Sequence, residues 1–215
     1  MRILRKLAIA ATALALAAPI ALAPTAQASA PTVQDSAQRA SRVYISPWGS
    51  AQVRVSDTTK KWLEDNGIKL GAIEPFTLDA DGYGFNMPIG STAGDHLDEK
   101  GRIFYPGGIT LAQESSQTSV ELVPTWIRVM PQPGYSAGVK VNGTSVSEET
   151  LIAYTTPAEV IANGQLTPTG FKLDQVPFHV TKEAAALTKA YFGDGLAVDS
   201  MFGTLTPNFD YVPTN

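Results

Sequence analysis

Two histidines, a scatter of carboxylates and no cysteine make up the reactive inventory of this chain. His96 lies in Gly94-Asp95-His96-Leu97-Asp98-Glu99-Lys100-Gly101, a charged run flanked by glycines, which reads as a solvated hairpin tip. His179 alternates with Phe178 and Val180, so a strand there would turn the imidazole to solvent in a structural role. Metal or acid-base chemistry needs more convergence than two isolated imidazoles provide. Asp79-Ala80-Asp81-Gly82-Tyr83-Gly84 opens like a calcium loop, but its fifth position is Tyr83 and its twelfth is Gly90, where a bidentate glutamate belongs. The absence of cysteine removes thiolate metal sites, disulfides and a cysteine nucleophile together. No zinc-protease helix, phosphate loop or dinucleotide fingerprint occurs. The sequence therefore assigns no catalytic residue, no metal and no cofactor. A pair of distant carboxylates could still be assembled for an extracellular hydrolase, and that alternative stays open.

Aromatic residues say more. Tyr44, Trp48, Trp62, Phe76, Tyr83, Phe85, Phe104, Tyr105, Trp126 and Tyr135 are ten of the 18 aromatic residues, and most are expected in the core. Tyr83, Tyr105 and Tyr135, each near a glycine, are the candidates to line a groove for a flat or sugar-like ligand.

The elements that would position such groups are short strands. Runs at Gln52 to Val55, Arg102 to Tyr105, Ile109 to Ala112, Ser119 to Met130, Gly138 to Val141 and Phe178 to Val180 are separated by Gly, Pro, Asn and Asp. That punctuation predicts a mostly β fold, a β-sandwich of short antiparallel strands. Asn142-Gly143, between Val141 and Thr144, supplies the two positive-φ residues of a type I′ hairpin. Two segments break the pattern in the same way. Val53 to Val55 runs into Ser56 and a helical window that stops at Gly67, and Phe178 to Val180 runs into Thr181 and a window that stops at Gly193. Each predicts a short helix with a hydroxyl N-cap and a glycine exit, used twice at two corners of one sandwich.

Arg2, Arg5 and Lys6 precede an apolar run from Leu7 to Ala23, and Ala26-Gln27-Ala28 follows as a cleavage pattern. Residues 1–28 therefore read as a general secretory signal peptide, 29–42 as a flexible leader and 43–215 as a single extracellular domain. No second run of spanning length occurs, so no transmembrane span is expected after cleavage. The signal carries three of the 16 basic residues and none of the 20 acidic ones, so the mature balance is 13 to 20, a net charge of −7. A nucleic-acid partner is excluded on that charge, and an unknown small molecule or envelope component is expected instead.

Gly49 to Leu63, Phe85-Asn86-Met87-Pro88-Ile89-Gly90 and Gly101-Arg102-Ile103-Phe104-Tyr105-Pro106-Gly107-Gly108-Ile109-Thr110-Leu111 resemble the HtaA-type domain of actinobacterial envelope proteins. The resemblance, which extends to short secreted actinobacterial proteins of unassigned function, implies a β-rich secreted module of the kind known from haem uptake. It also implies an axial tyrosine on the first helix, where this chain has Trp62, and a histidine in the turn that here reads Tyr105-Pro106-Gly107-Gly108. Tryptophan cannot ligate iron, so the resemblance carries the fold and leaves the activity in question. Tyr105 is the candidate to replace a haem ligand. The expectation is a non-enzymatic binding module, with haem binding through an altered ligand as the alternative.

Overall fold

The computed structural model describes residues 45–90, 98, 100–129, 131–167 and 170–209. The proposed signal peptide, the leader, His96 and the side chains of Tyr44 and Trp48 lie outside the described residues.

Thirteen strands and three helices are present among the described residues. The chain opens with β1 (Ile45–Val55) and α1 (Asp57–Asp65), followed by β2 (Ile68–Ile73), β3 (Thr77–Leu78) and β4 (Gly84–Gly90). The middle comprises β5 (Arg102–Tyr105), β6 (Gly108–Gln113), β7 (Thr118–Arg128), β8 (Gly134–Val141) and β9 (Thr144–Tyr154). The last part carries α2 (Pro157–Ala162), β10 (Gly164–Thr167), β11 (Gly170–Leu173), β12 (Val176–Val180), α3 (Lys182–Phe192) and β13 (Met201–Phe209).

Eleven strands form one antiparallel sheet in the order β2-β6-β7-β8-β9-β12-β13-β1-β4-β3, with β5 also on β7. β6 pairs with the first half of β7 and β5 with the second, so they lie end to end along one edge. The ladder between β7 and β8 shifts register between Leu122 and Thr125, at Val123 and Pro124. A bulge there bends the strand and strengthens its twist. The two ends of the order, β2 and β3, come back into contact. The sheet is thus curled nearly closed, as a sandwich wrapped from one ribbon. β10 and β11 form a separate hairpin.

Alternation fills the interior. Val176, Phe178 and Val180 of β12 are buried while Pro177 and His179 are half-buried on the other face. One apolar cluster contains Phe85, Met87, Ile89, Ile109, Val120, Leu122, Val139 and Leu205, each at most 5% exposed. Gly203 marks the closest approach of β13 to β1, because a Cβ there would collide with the Arg54 carbonyl. The hairpin between β8 and β9 turns at Asn142 and Gly143 with φ of 48° and 79°, as the Asn-Gly pair predicts.

Both predicted helices form, with the predicted caps at Ser56 and Thr181 and positive-φ exits at Gly67 and Gly193. A third helix, α2, was not expected. Its signal is nonetheless present, since Thr156-Pro157-Ala158-Glu159 forms a capping box with proline in the first turn.

Candidate functional site

The helices α1 and α3 close one end of the core, and their caps attach them to the sheet. Ser56 Oγ accepts from the Thr59 amide at 3.1 Å and donates to the Met201 carbonyl at 2.5 Å. The Ser56 amide donates to the Phe202 carbonyl, so α1 starts where β13 starts. Thr181 Oγ1 accepts from the Ala184 amide at 3.0 Å and donates to the Leu151 carbonyl at 2.6 Å, which fixes α3 to β9.

Side chains at helical spacing then face inward. α1 buries Thr59, Trp62 and Leu63, and α3 buries Ala184, Thr188 and Phe192. Thr188 Oγ1 donates to the Ala184 carbonyl and accepts from the Leu196 amide at 3.0 Å, drawing Leu196 back against the helix. The two helices meet where Trp62 and Phe192 pack edge to face, with ring centroids 5.9 Å apart and planes at 75°.

Beneath that seam lies a cavity of about 30 Å³. Leu63, Ile109, Leu122, Leu187 and Phe202 are among its walls, and no polar atom contributes to its accessible surface. Phe202 also walls a second cavity of about 10 Å³ beside Phe85, Tyr135 and Phe178. A void of the first size has room for one or two waters, but walls without polar partners disfavour them. Trp62 is 8% exposed, and its indole Nε1 has no hydrogen-bond partner. Buried donors are almost always satisfied, and an unmade bond costs about 1–3 kcal/mol.

The three tyrosines expected to share a groove are dispersed. Tyr105 is 1% exposed and Tyr135 is 4% exposed, on the same inner face of the sheet and separated by β7. Both belong to the core rather than to an open groove. Tyr135 resides in apolar surroundings, and burial pushes its phenol well above the ordinary range, against a small opposing influence of Thr125. The Thr125 hydroxyl itself is directed to the carbonyls of Tyr105 and Gly107, and the Tyr135 hydroxyl is left without a well-formed bond. Tyr83 stands apart near the surface, where its hydroxyl donates to Glu64 at 2.9 Å and Lys60 lies 4.4 Å over its ring.

Two polar clusters complete the survey. Asp79 and Asp81, the carboxylates of the rejected calcium pattern, both accept from Arg54, at 3.0 and 2.6 Å. A guanidinium occupies the position a cation would take. His179 is on the outer face of β12, as its alternation predicts, but it is paired: its Nε2 lies 2.6 Å from Glu159 Oε1. Glu159 also accepts from the amide and hydroxyl of Thr156 at 2.9 and 2.8 Å. Burial alone would raise this carboxyl, but the bonds from His179 and Thr156 outweigh it and hold the pKa at about 2. Among the described residues, no three metal-ligating side chains converge. No described helix is long and apolar enough to cross a membrane.

A helix-closed, cysteine-free antiparallel β-sandwich is the class that this architecture defines. Among solved structures, the chain shares its fold with the C-terminal domain of HtaA from Corynebacterium glutamicum. The match has a TM-score of 0.51 at 13% identity and covers 75% of this chain and 96% of that domain. No protein-family description and no curated protein matches the sequence.

Proposed function

We propose that this chain is an exported, non-enzymatic binding module of the cell envelope. In this reading, a small, largely apolar molecule bearing one hydrogen-bond acceptor binds at the seam between α1 and α3. The observation that carries the proposal is the buried, unpartnered indole N–H of Trp62, whose ring walls an apolar void that the N–H would meet only when the seam opens. A ligand acceptor at Nε1 would recover the bond the fold leaves unmade, and apolar burial would supply the remaining affinity. The void is smaller than such a ligand, so binding requires α1 and α3 to part at the Trp62 and Phe192 contact. The HtaA-like fold supports a binding role over a catalytic one. Export rests on the signal pattern of residues 1–28, and N-terminal sequencing of secreted protein should begin at Ser29.

The test is a titration of the chain from Ser29 with 1-aminoanthracene and with anthraquinone, two planar apolar molecules of which only the second offers carbonyl acceptors. Anthraquinone should bind saturably at one site, and Trp62→Phe should weaken it by about tenfold while leaving 1-aminoanthracene unchanged. Failure of both compounds to bind would remove the seam as a site. Equal binding to wild type and Trp62→Phe would remove the indole donor from the proposal.

A further inference from the structure

A second set of aromatic and charged groups lies on the opposite, outer face of the sheet. Cross-strand partners share a face, so the pairs Phe104 with Trp126 and Arg102 with Arg128 place four large side chains side by side on β5 and β7. Ser136 of β8 continues the Phe104 and Trp126 row, and Glu149 of β9 reaches it. The Phe104 and Trp126 rings have centroids 6.2 Å apart and planes at 46°, and both residues are half-buried.

One of the two arginines is fully committed. Arg102 bonds Asp98 through Nε at 2.8 Å and Glu149 through Nη1 at 2.5 Å, with its side chain 13% exposed. Its guanidinium lies 4.6 Å from the centre of the Trp126 ring. Glu149 in turn accepts from Ser136 at 2.8 Å, and Ser136 is fully buried. This chain of bonds makes Arg102 a rigid support that fixes the indole, in the way that outer residues hold a binding residue in place.

Arg128 is different. It sits directly opposite Arg102, whose own charge is already taken up by Asp98 and Glu149. It makes no hydrogen bond or ion pair among the described residues, whereas Arg54 and Arg102 each hold two carboxylates. Among the described residues, the outer face thus presents a guanidinium without a carboxylate partner beside two aromatic rings, on a protein whose overall charge is negative. An anion would give Arg128 a charge-assisted partner.

We propose that this face binds an acidic glycan, with sugar rings stacked on Trp126 and Phe104 and an acidic group paired to Arg128. The choice of occupant follows from the chemistry. A single free guanidinium is too little for a nucleic-acid backbone or an anionic membrane. A peptide strand would seek a sheet edge, and these groups lie on a sheet face. The flat underside of a pyranose, bordered by hydroxyl and acidic groups, matches half-buried rings flanked by charge. The site is separate from the seam between α1 and α3 and does not depend on it.

The test uses hexagalacturonate and a chondroitin sulfate hexasaccharide as acidic probes, maltohexaose as a neutral sugar and hexaglutamate as a charge without sugar. Binding is followed by the indole N–H resonances of isotopically labelled protein, with Trp126→Phe assigning the signal. At least one acidic sugar should shift the Trp126 resonance saturably, with maltohexaose and hexaglutamate each weaker by about fivefold or more. Arg128→Gln should weaken the acidic sugar about tenfold while its circular dichroism and thermal midpoint match wild type. Trp126→Leu should weaken it similarly, and Trp126→Phe should retain most of the affinity. No saturable shift with either acidic sugar would overturn the proposal, as would affinities unchanged by Arg128→Gln or equal affinity for hexaglutamate.

Discussion

Glu159 offers the sharpest quantitative test of the structure. Its carboxylate joins the N-terminus of α2 to His179 on β12, with bonds of 2.6 to 2.9 Å from His179 and Thr156. These hold its pKa at about 2 against an ordinary 4.5. A group depressed on folding contributes stability that is fully present above its unfolded pKa and is lost as pH falls through its folded pKa. The window for Glu159 therefore runs from about 4.5 down to about 2. At 1.36 kcal/mol per pH unit, the displacement corresponds to at most ~3.4 kcal/mol. The side chain remains 30% exposed, so solvent screening reduces this to roughly 1–2 kcal/mol. Urea unfolding of wild type and Glu159→Gln should differ by that amount at pH 6 and converge towards pH 2.5. Other carboxylates titrate in both proteins, and the difference between the two curves isolates Glu159. Parallel curves across the window would show that the link to His179 contributes nothing, and the account of α2 would fall with it.

Four further outcomes follow from the fold. Ser56→Ala should cost about 1 kcal/mol in urea unfolding. Thr181→Ala should cost about 2 kcal/mol, because the residue is 5% exposed and its hydroxyl also serves the Leu151 carbonyl. Gly203→Ala should destabilise by about 2 kcal/mol or more, since the new methyl group meets the Arg54 backbone rather than a side chain that could move aside. Absorbance titration with haemin should give at most weak binding without the spectrum of a defined axial ligand, because Trp62 cannot ligate and Tyr105 is closed within the core. A saturating one-to-one complex with a tyrosinate spectrum that vanishes in Tyr105→Phe would reverse that conclusion.

Much of the fold is legible because local chemistry and global architecture agree. The Arg102 to Tyr105 strand, the Asn142-Gly143 turn and the caps at Ser56 and Thr181 occur where short-range rules put them. β13 was missed because Gly203 and Pro207 interrupt its pattern, and β4 was noticed only through its resemblance, since Pro88 sits inside it. Both prolines stay in register with β1, Pro207 opposite Ala51 and Pro88 opposite Ser50. The helix α2 carries no buried residue, so it has no hydrophobic period to reveal it, and its capping box is the one local trace.

The site was far less legible, and the reason is geometric. The reading of Tyr83, Tyr105 and Tyr135 as one groove used nearness to glycine, a property of the chain and not of a surface. Strand parity decides the matter instead: Tyr105 shares the inward parity of Ile103, while Phe104 between them faces out to pair with Trp126. Both faces of β5 are therefore aromatic, and short-range pattern cannot say which is covered. That is settled by where the sheet curls and where α1 and α3 close it. The seam joins Trp62 to Phe192 across 130 positions, and the outer cluster joins Arg102 to Glu149 across 47. Neither pairing leaves a spacing to read, because the first is made between two helices and the second across the neighbouring strands β5, β7, β8 and β9.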